Sequence, residues 1–152
     1  MKPFPKLNIP QFELKIKEEE GKFLVFDIIR KSYFLLTPEE WIRQHFIHLL
    51  IDHYHYPKSL IKIESGLRYN NLFKRSDIIV YDREGKPFLL VECKSAEIKL
   101  TNTGFEQASV YNKTIKASFI VLTNGLSTFC CKVNQENGQY EFIKDLPSFP
   151  TI

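Results

Sequence analysis

Three cysteines are too few, and wrongly spaced, to organise this chain of 152 residues. Cys93 stands alone and Cys130 and Cys131 are neighbours, an odd set that excludes a disulfide framework and fits no metal-ligand spacing. Thiols of this kind suit a reducing cytoplasm. No stretch approaches the roughly 18 apolar residues of a membrane span, and no charged segment leads into an apolar run as an export signal would. A soluble, cytoplasmic protein without membrane contact is expected. Neither charge sign dominates, since 21 Lys and Arg face 18 Asp and Glu; that balance permits a polyanionic partner without demanding one. Repeats and low-complexity tracts are missing, which excludes a solenoid. No Gly-x-x-x-x-Gly-Lys-Ser/Thr loop occurs, so no ATP is expected. No helix-turn-helix or zinc-finger pattern occurs either. If such a chain cuts nucleic acid, it cuts without much sequence preference or borrows recognition, or a motor, from a protein partner.

What is present is a chain that is 43% hydrophobic and 14% aromatic, enough for one sizeable core and hardly two. Residues 12–17 and 23–29 alternate as strands, and Glu20-Gly21 between them supplies a hairpin turn. Thr37-Pro38-Glu39-Glu40 gives an N-cap, a proline at the first helical position and a glutamate three residues after the cap, so a helix is predicted from there to about Tyr54. A strand meander follows over residues 60–68, 76–81 and 88–93, with Asn70-Asn71 and residues 83–87 as turns. Residues 103–116 read as a second helix. Strands at 118–122, 128–133 and 139–143 complete the pattern, separated by turns at Thr123-Asn124-Gly125 and Asn137-Gly138. Helix, three strands, helix, strand is an α/β arrangement around a central mixed sheet.

Chemistry concentrates where the second and third meander strands would meet. Asp77 opens the apolar run Ile78-Ile79-Val80, and Glu92 and Lys94 close the run Leu89-Leu90-Val91. Residues two apart on a strand share a face, so Glu92 and Lys94 look one way and Cys93 into the opposite layer. If the two strands form a hairpin around residues 82–87, Asp77 lies opposite the Glu92 region. Two carboxylates brought together repel each other unless a divalent cation neutralises them, and hard oxygen ligands suit Mg²⁺ or Mn²⁺. A lysine beside such a metal can hold or deprotonate a water aimed at phosphorus. Phosphodiester hydrolysis needs those parts.

Asp77 followed after fourteen residues by Glu92-Cys93-Lys94 resembles the PD-(D/E)xK nucleases, with Ser76 in place of the proline that names the motif. That proline contributes no ligand. Residues 37–44, 76–82, 90–94 and 122–125 resemble more narrowly the N-terminal nuclease domain of type I restriction enzyme motor (R) subunits, in its stand-alone form; the likeness covers residues 30–145. It implies a restriction-endonuclease-like fold over residues 31–152, a central mixed sheet flanked by helices, with residues 1–30 as an N-terminal β-ribbon extension. It implies Mg²⁺ or Mn²⁺ on Asp77, Glu92 and the Cys93 backbone carbonyl, and DNA as substrate. It also implies that a glutamate on the first helix and a Gln-x-x-x-Tyr pair on the second complete the site. Gln107 and Tyr111 match the pair, four residues apart on one helical face. For the glutamate, the stripe Ile42, Phe46, Leu49, Leu50 centres near Glu39 at 100° per residue, which favours Glu39 over Glu40. Glu40 has a capping-box task with Thr37 available instead.

Plainer alternatives stand beside these. Tyr111 alone reads as core packing, and Lys58, Lys62, Arg68, Lys74 and Arg75 as a solvated strand face or a phosphate track. His45, His48, His53 and His55 read as helix surface and loop, since no partner follows at zinc spacing. Cys130 and Cys131 read as half buried in a strand. Besides a nuclease, a non-catalytic nucleic-acid-binding module and a subunit of a larger restriction or repair assembly fit the sequence. An exposed apolar patch would favour the last.

Overall fold

The computed structural model describes residues 4–63, 67–69, 72–74 and 78–151, with 67–69 and 72–74 described by their backbone alone. Its centre is a six-stranded mixed sheet built from β4 (Ile61–Lys62), β7 (Ile78–Tyr81), β8 (Pro87–Cys93), β9 (Phe119–Thr123), β10 (Thr128–Val133) and β11 (Tyr140–Ile143), in the order β11-β10-β9-β8-β7-β4. Among the described residues only β8 and β9 run parallel. Parallel neighbours need a long crossover, and helix α2 (Asn102–Ile115) supplies it. Helix α1 (Pro38–His48) packs on the opposite face. The expected α/β fold of restriction-endonuclease-like kind, a mixed sheet flanked by helices, is the fold observed.

Local chemistry explains both helix starts. The Thr37 hydroxyl accepts a hydrogen bond from Glu40 N–H at 3.0 Å with Pro38 in the first turn, and Thr101 does the same for Gly104 N–H at 3.2 Å. At the end of α2, Lys116 adopts the left-handed conformation while the Asn112 side chain bridges the N–H and C=O of Ala117. The first helix does not reach Tyr54 as an α-helix. After His48 the backbone widens, and Tyr54 N–H bonds Leu49 C=O five residues back at 3.1 Å.

The N-terminal ribbon has a third strand. β1 (Ile16–Glu19) and β2 (Lys22–Asp27) form the expected hairpin, and β3 (Ser32–Leu35) adds to the other edge of β2, so the expected boundary at residue 30 falls inside this small sheet. Nor is 60–68 one strand. β4 ends at Lys62, and β5 (Leu67–Tyr69) pairs with β6 (Leu72–Lys74) as a separate hairpin, because Leu67-Arg68-Tyr69 has its own partner close by in the chain. Asn70 and Asn71 lie outside the described residues.

Two apolar layers hold the sheet. On the α1 side Ile42, Phe46, Leu50, Leu89, Val91, Cys93 and Val121 are buried together, joined by Phe4, Ile9 and Phe12 from the first residues of the chain. On the α2 side Ile79, Leu90, Tyr111 and Ala117 form a smaller cluster. At the turn after β9, Gly125 has φ +84°, and a Cβ there would lie 2.8 Å from Ile42 Cδ1 and from Leu7 Cδ2. The positive φ favours glycine, and a Cβ would in addition force the Ile42 and Leu7 side-chain ends to shift. Among the described residues no helix is long and apolar enough to cross a membrane.

Candidate active site

The hairpin of β7 and β8 is the element on which the candidate site depends, and it forms as expected. Asp82 Oδ1 accepts from Glu84 N–H and Lys86 N–H, both at 2.9 Å, and Gly85 takes a positive φ, which closes the turn. Ile78 then pairs with Val91, Ile79 with Leu90 and Val80 with Leu89. Asp77 itself lies outside the described residues, as do Arg75 and Ser76; it directly precedes Ile78 in sequence.

Alternation along β8 sorts its side chains. Leu89, Val91 and Cys93 enter the α1 layer and Leu90 enters the α2 layer, so Glu92 lies on the α2 side. Lys94 follows it there, with Nζ 3.7 Å from Glu92 Oε2. Glu92 is 5% exposed, whereas the Lys94 side chain is 29% exposed. The Lys94 backbone is fixed independently, because its N–H donates to Thr123 C=O at 2.8 Å on the adjoining strand. A nearly enclosed carboxylate beside a partly exposed ammonium at the end of a central strand can hold a cation and present a basic nitrogen to solvent. Its oxygen donor fits a hard divalent ion. Among the described residues no three His, Cys, Asp or Glu gather as a metal site.

The remaining sequence candidates separate. Tyr111 is buried against Ile79, Leu90 and Ala117, on the same side of the sheet as Glu92. Gln107, one turn earlier on α2, is exposed. On α1 the orientation is the reverse of the helical-phase expectation: Glu40 is the buried glutamate, and Glu39 is half-exposed with Oε1 3.9 Å from Arg43. The reason is that α1 is covered on more than its sheet-facing stripe. Trp41 stacks on Phe4 at 5.2 Å and donates from Nε1 to Pro5 C=O, His45 packs against Trp41, and β2 covers a further side. The residues from Glu40 to Ile47 are all buried. His45 is therefore no surface residue. Burial pushes its pKa below the ordinary histidine value, though its contact with Trp41 C=O works the other way. His48 faces Asp52 at 3.1 Å, and His53 and His55 are exposed.

Sequence reasoning missed a polar cluster at this covered face. The Glu40 carboxylate accepts from Arg43, from Arg30 at 3.0 Å and from Gln44 at 2.6 Å, while Asp27 accepts from Gln44 and Arg30 and from the N–H groups of Ile29 and Arg30. Glu40 does not close a capping box with Thr37; its carboxylate is committed to the Arg30 and Arg43 guanidinium groups and the Gln44 amide. The available signal was the run Glu40, Arg43, Gln44 on a helix short of apolar residues, with Asp27 and Arg30 just before it. Burial pushes the Asp27 carboxyl upward, but the Arg30 N–H, the Gln44 amide and the Arg30 guanidinium together outweigh it and hold it below the usual aspartate value. Such a group stabilises the fold above its unfolded pKa, about 3.9, and this contribution is lost as pH falls through the lower folded value. Asp27→Asn is thus expected to lower the melting temperature at neutral pH and to flatten its fall below about pH 4, as thermal melts across that range would show. Curves parallel to wild type would remove Asp27 from the acid response.

Cys130 and Cys131 are both buried rather than half buried. Burial pushes their thiols up to about 12 and about 11, the neighbouring Cys131 adding to the rise at Cys130, so neither supplies a thiolate near neutrality. Three described lysines, Lys31, Lys58 and Lys62, line one open cleft of about 470 Å³ between the N-terminal sheet and β4.

No curated protein matches the chain significantly. The family described as type I restriction enzyme R protein N terminus (HSDR_N) matches residues 38–147, from the first turn of α1 to just past β11. With most of its length inside that match, the chain belongs to the type I restriction enzyme R protein N-terminal family.

Proposed function

We propose that this chain is a metal-dependent DNA phosphodiester hydrolase whose reacting groups are Asp77, Glu92 and Lys94. The observation that carries the proposal is the Glu92–Lys94 pair, 3.7 Å apart at the end of β8, on the strand antiparallel to the one that Asp77 precedes, in a chain of a restriction family. Asp77 and Glu92, with the Cys93 carbonyl, would hold Mg²⁺ or Mn²⁺, which when bound supplies charge stabilisation at the phosphate oxygens. Lys94 then orients a water toward phosphorus; as an ammonium it offsets the charge that develops, and only after releasing its own proton to solvent can the neutral amine take the water's proton. Glu92 keeps the ammonium in place. Tyr111 acts from the core by fixing α2 against Leu90, and Gln107 is the exposed polar group on that helix that can meet substrate. The cleft with Lys31, Lys58 and Lys62 offers positive charge to the phosphate backbone. Recognition and any motor function come from a partner protein, in the cytoplasm. A subunit role in a larger assembly is the second reading, favoured by the exposed Ile98, Leu126, Phe129 and Phe142.

The metal provides the test. A ligand that binds only the folded state raises its melting temperature by mass action. Mg²⁺ or Mn²⁺ is expected to raise the melting temperature of wild type, and Asp77→Ala or Glu92→Ala to abolish the rise together with cleavage of circular and linear DNA. An unchanged metal-induced rise in both variants would place the ion elsewhere and remove this site from the chemistry.

A further inference from the structure

One strand away from Glu92 the surface changes character. Leu122 on β9 is the parallel partner of Glu92, and Phe129 on β10 is the partner of Leu122. Paired residues in a sheet share a face, and adjacent strands lie about 4.8 Å apart. Leu122 and Phe129 therefore continue the surface on which Glu92 lies. They form the floor of a groove of about 400 Å³, walled by Leu100 just before α2, by Phe105 in its first turn and by Phe142 on β11. That volume falls within the range of clefts that take small organic groups, about 300 to 1,000 Å³. Phe129 is 48% exposed and Phe142 61% exposed. Phe105 lies 5.4 Å from both Phe142 and Tyr140, so the rings form one aromatic wall. Thr101 and Asn102 supply the polar rim, and neither the described lining nor the first turn of α2 carries an acidic side chain.

We infer that this groove is a base-stacking subsite that takes an unpaired nucleobase of the DNA strand being cut. The inference rests on the nuclease reading of Glu92 and Lys94 and adds a substrate class to it. A ring wall next to a phosphate-cutting pair has the layout of a nucleotide, with an apolar flat base beside an anionic backbone. Paired bases inside a duplex hide their faces in the stack, whereas an unpaired base can lay its face on a phenylalanine. The substrate class is therefore single-stranded or locally opened DNA, the phosphate at Glu92 and Lys94 and a neighbouring base against Phe129 and Phe142. A protein partner could also cover exposed phenylalanines. The groove's concavity and its register with Glu92 favour the base.

The test is a binding cycle in EDTA, which separates it from cleavage. Wild type, Phe142→Ala, Phe129→Ala and Phe142→Trp are titrated by fluorescence anisotropy against a labelled single-stranded oligodeoxynucleotide, the same strand as a blunt duplex, and the strand with abasic nucleotides. Both phenylalanines are exposed, so the alanine variants keep their core. Phe142→Ala is expected to lose roughly 5- to 150-fold in affinity for the single strand and to change little on the duplex and abasic strands. Phe142→Trp is expected to retain binding. Equal affinity of wild type for normal and abasic strands would overturn the subsite, as would a Phe142→Ala protein that binds all three like wild type. Altered self-association on size exclusion with DNA binding unchanged would also overturn it and mark the face as a protein contact. Base-dependent binding without cleavage under any metal would refute the nuclease reading and leave the subsite standing; cleavage without base dependence would do the reverse.

Discussion

Lys94→Ala is expected to cut DNA about 10² to 10⁴ times more slowly than wild type while binding it within about tenfold. The two magnitudes separate the roles an ammonium can play. A lysine that only attracts phosphate contributes one salt-dependent contact, and its loss weakens binding without touching the chemical step. A lysine that holds the attacking water acts in the transition state, so its loss appears in the rate. The position of Lys94 supports the second role. Its backbone is tied to Thr123, its Nζ is 3.7 Å from Glu92 and its side chain is partly open to solvent. Lys94→Arg is expected to fail also, because a planar, permanently charged guanidinium neither fits the place of an ammonium nor gives up a proton. Single-turnover cleavage and DNA affinity at fixed Mg²⁺ and salt, well below the melting temperature of each variant, decide the matter. If Lys94→Ala cuts as fast as wild type, or if wild type cuts no form of DNA with any divalent metal, catalysis by this chain is refuted.

Much of this architecture was legible because local signals and tertiary contacts agree. Thr37-Pro38 starts α1 where a capped helix should start, the alternation of Leu89 to Lys94 puts Cys93 into one layer and Glu92 into the other, and Thr128–Val133 is the strand read from its sequence. Failures occur where a neighbour distant in sequence decides. β3, only four residues long, becomes a strand by pairing with β2. Gln107 shares helical spacing with Tyr111, yet the sheet covers only Tyr111. Gly125 was readable as a turn residue, but its approach to Ile42 and Leu7 depends on α1 and the N-terminal segment meeting at that turn. That segment covers Trp41 and His45, while Asp27 at the end of β2 and Arg30 just after it cover Glu40; a hydrophobic stripe identifies the face toward the sheet and is silent about a second covered face.

That second face gives Glu40 and Glu39 opposite expected phenotypes. The Glu40 carboxylate is nearly enclosed and satisfies Arg43, itself buried, together with Arg30 and Gln44. Removing one partner of a buried charge pair typically costs about 3 to 5 kcal/mol, because the remaining cation keeps its desolvation penalty and loses its compensation. Glu40→Ala is therefore expected to lose about that much stability, well beyond the roughly 1 kcal/mol of a damaged helix cap. Glu40→Gln, which keeps shape and removes charge, should fall between. Glu39 is different: its side chain is 32% exposed and 3.9 Å from Arg43, a geometry worth about 1 kcal/mol or less. If Glu39 is the helix carboxylate that serves the reaction, Glu39→Gln lowers the single-turnover rate with its melting temperature almost unchanged. Urea unfolding and cleavage, the latter scaled to the folded fraction, distinguish the two. Equal destabilisation by Glu39→Gln and Glu40→Ala would show that the enclosed Glu40 pairs add no more stability than the half-exposed Glu39 pair. Full activity in Glu39→Gln would leave Asp77 and Glu92 as the only carboxylates proposed for the site.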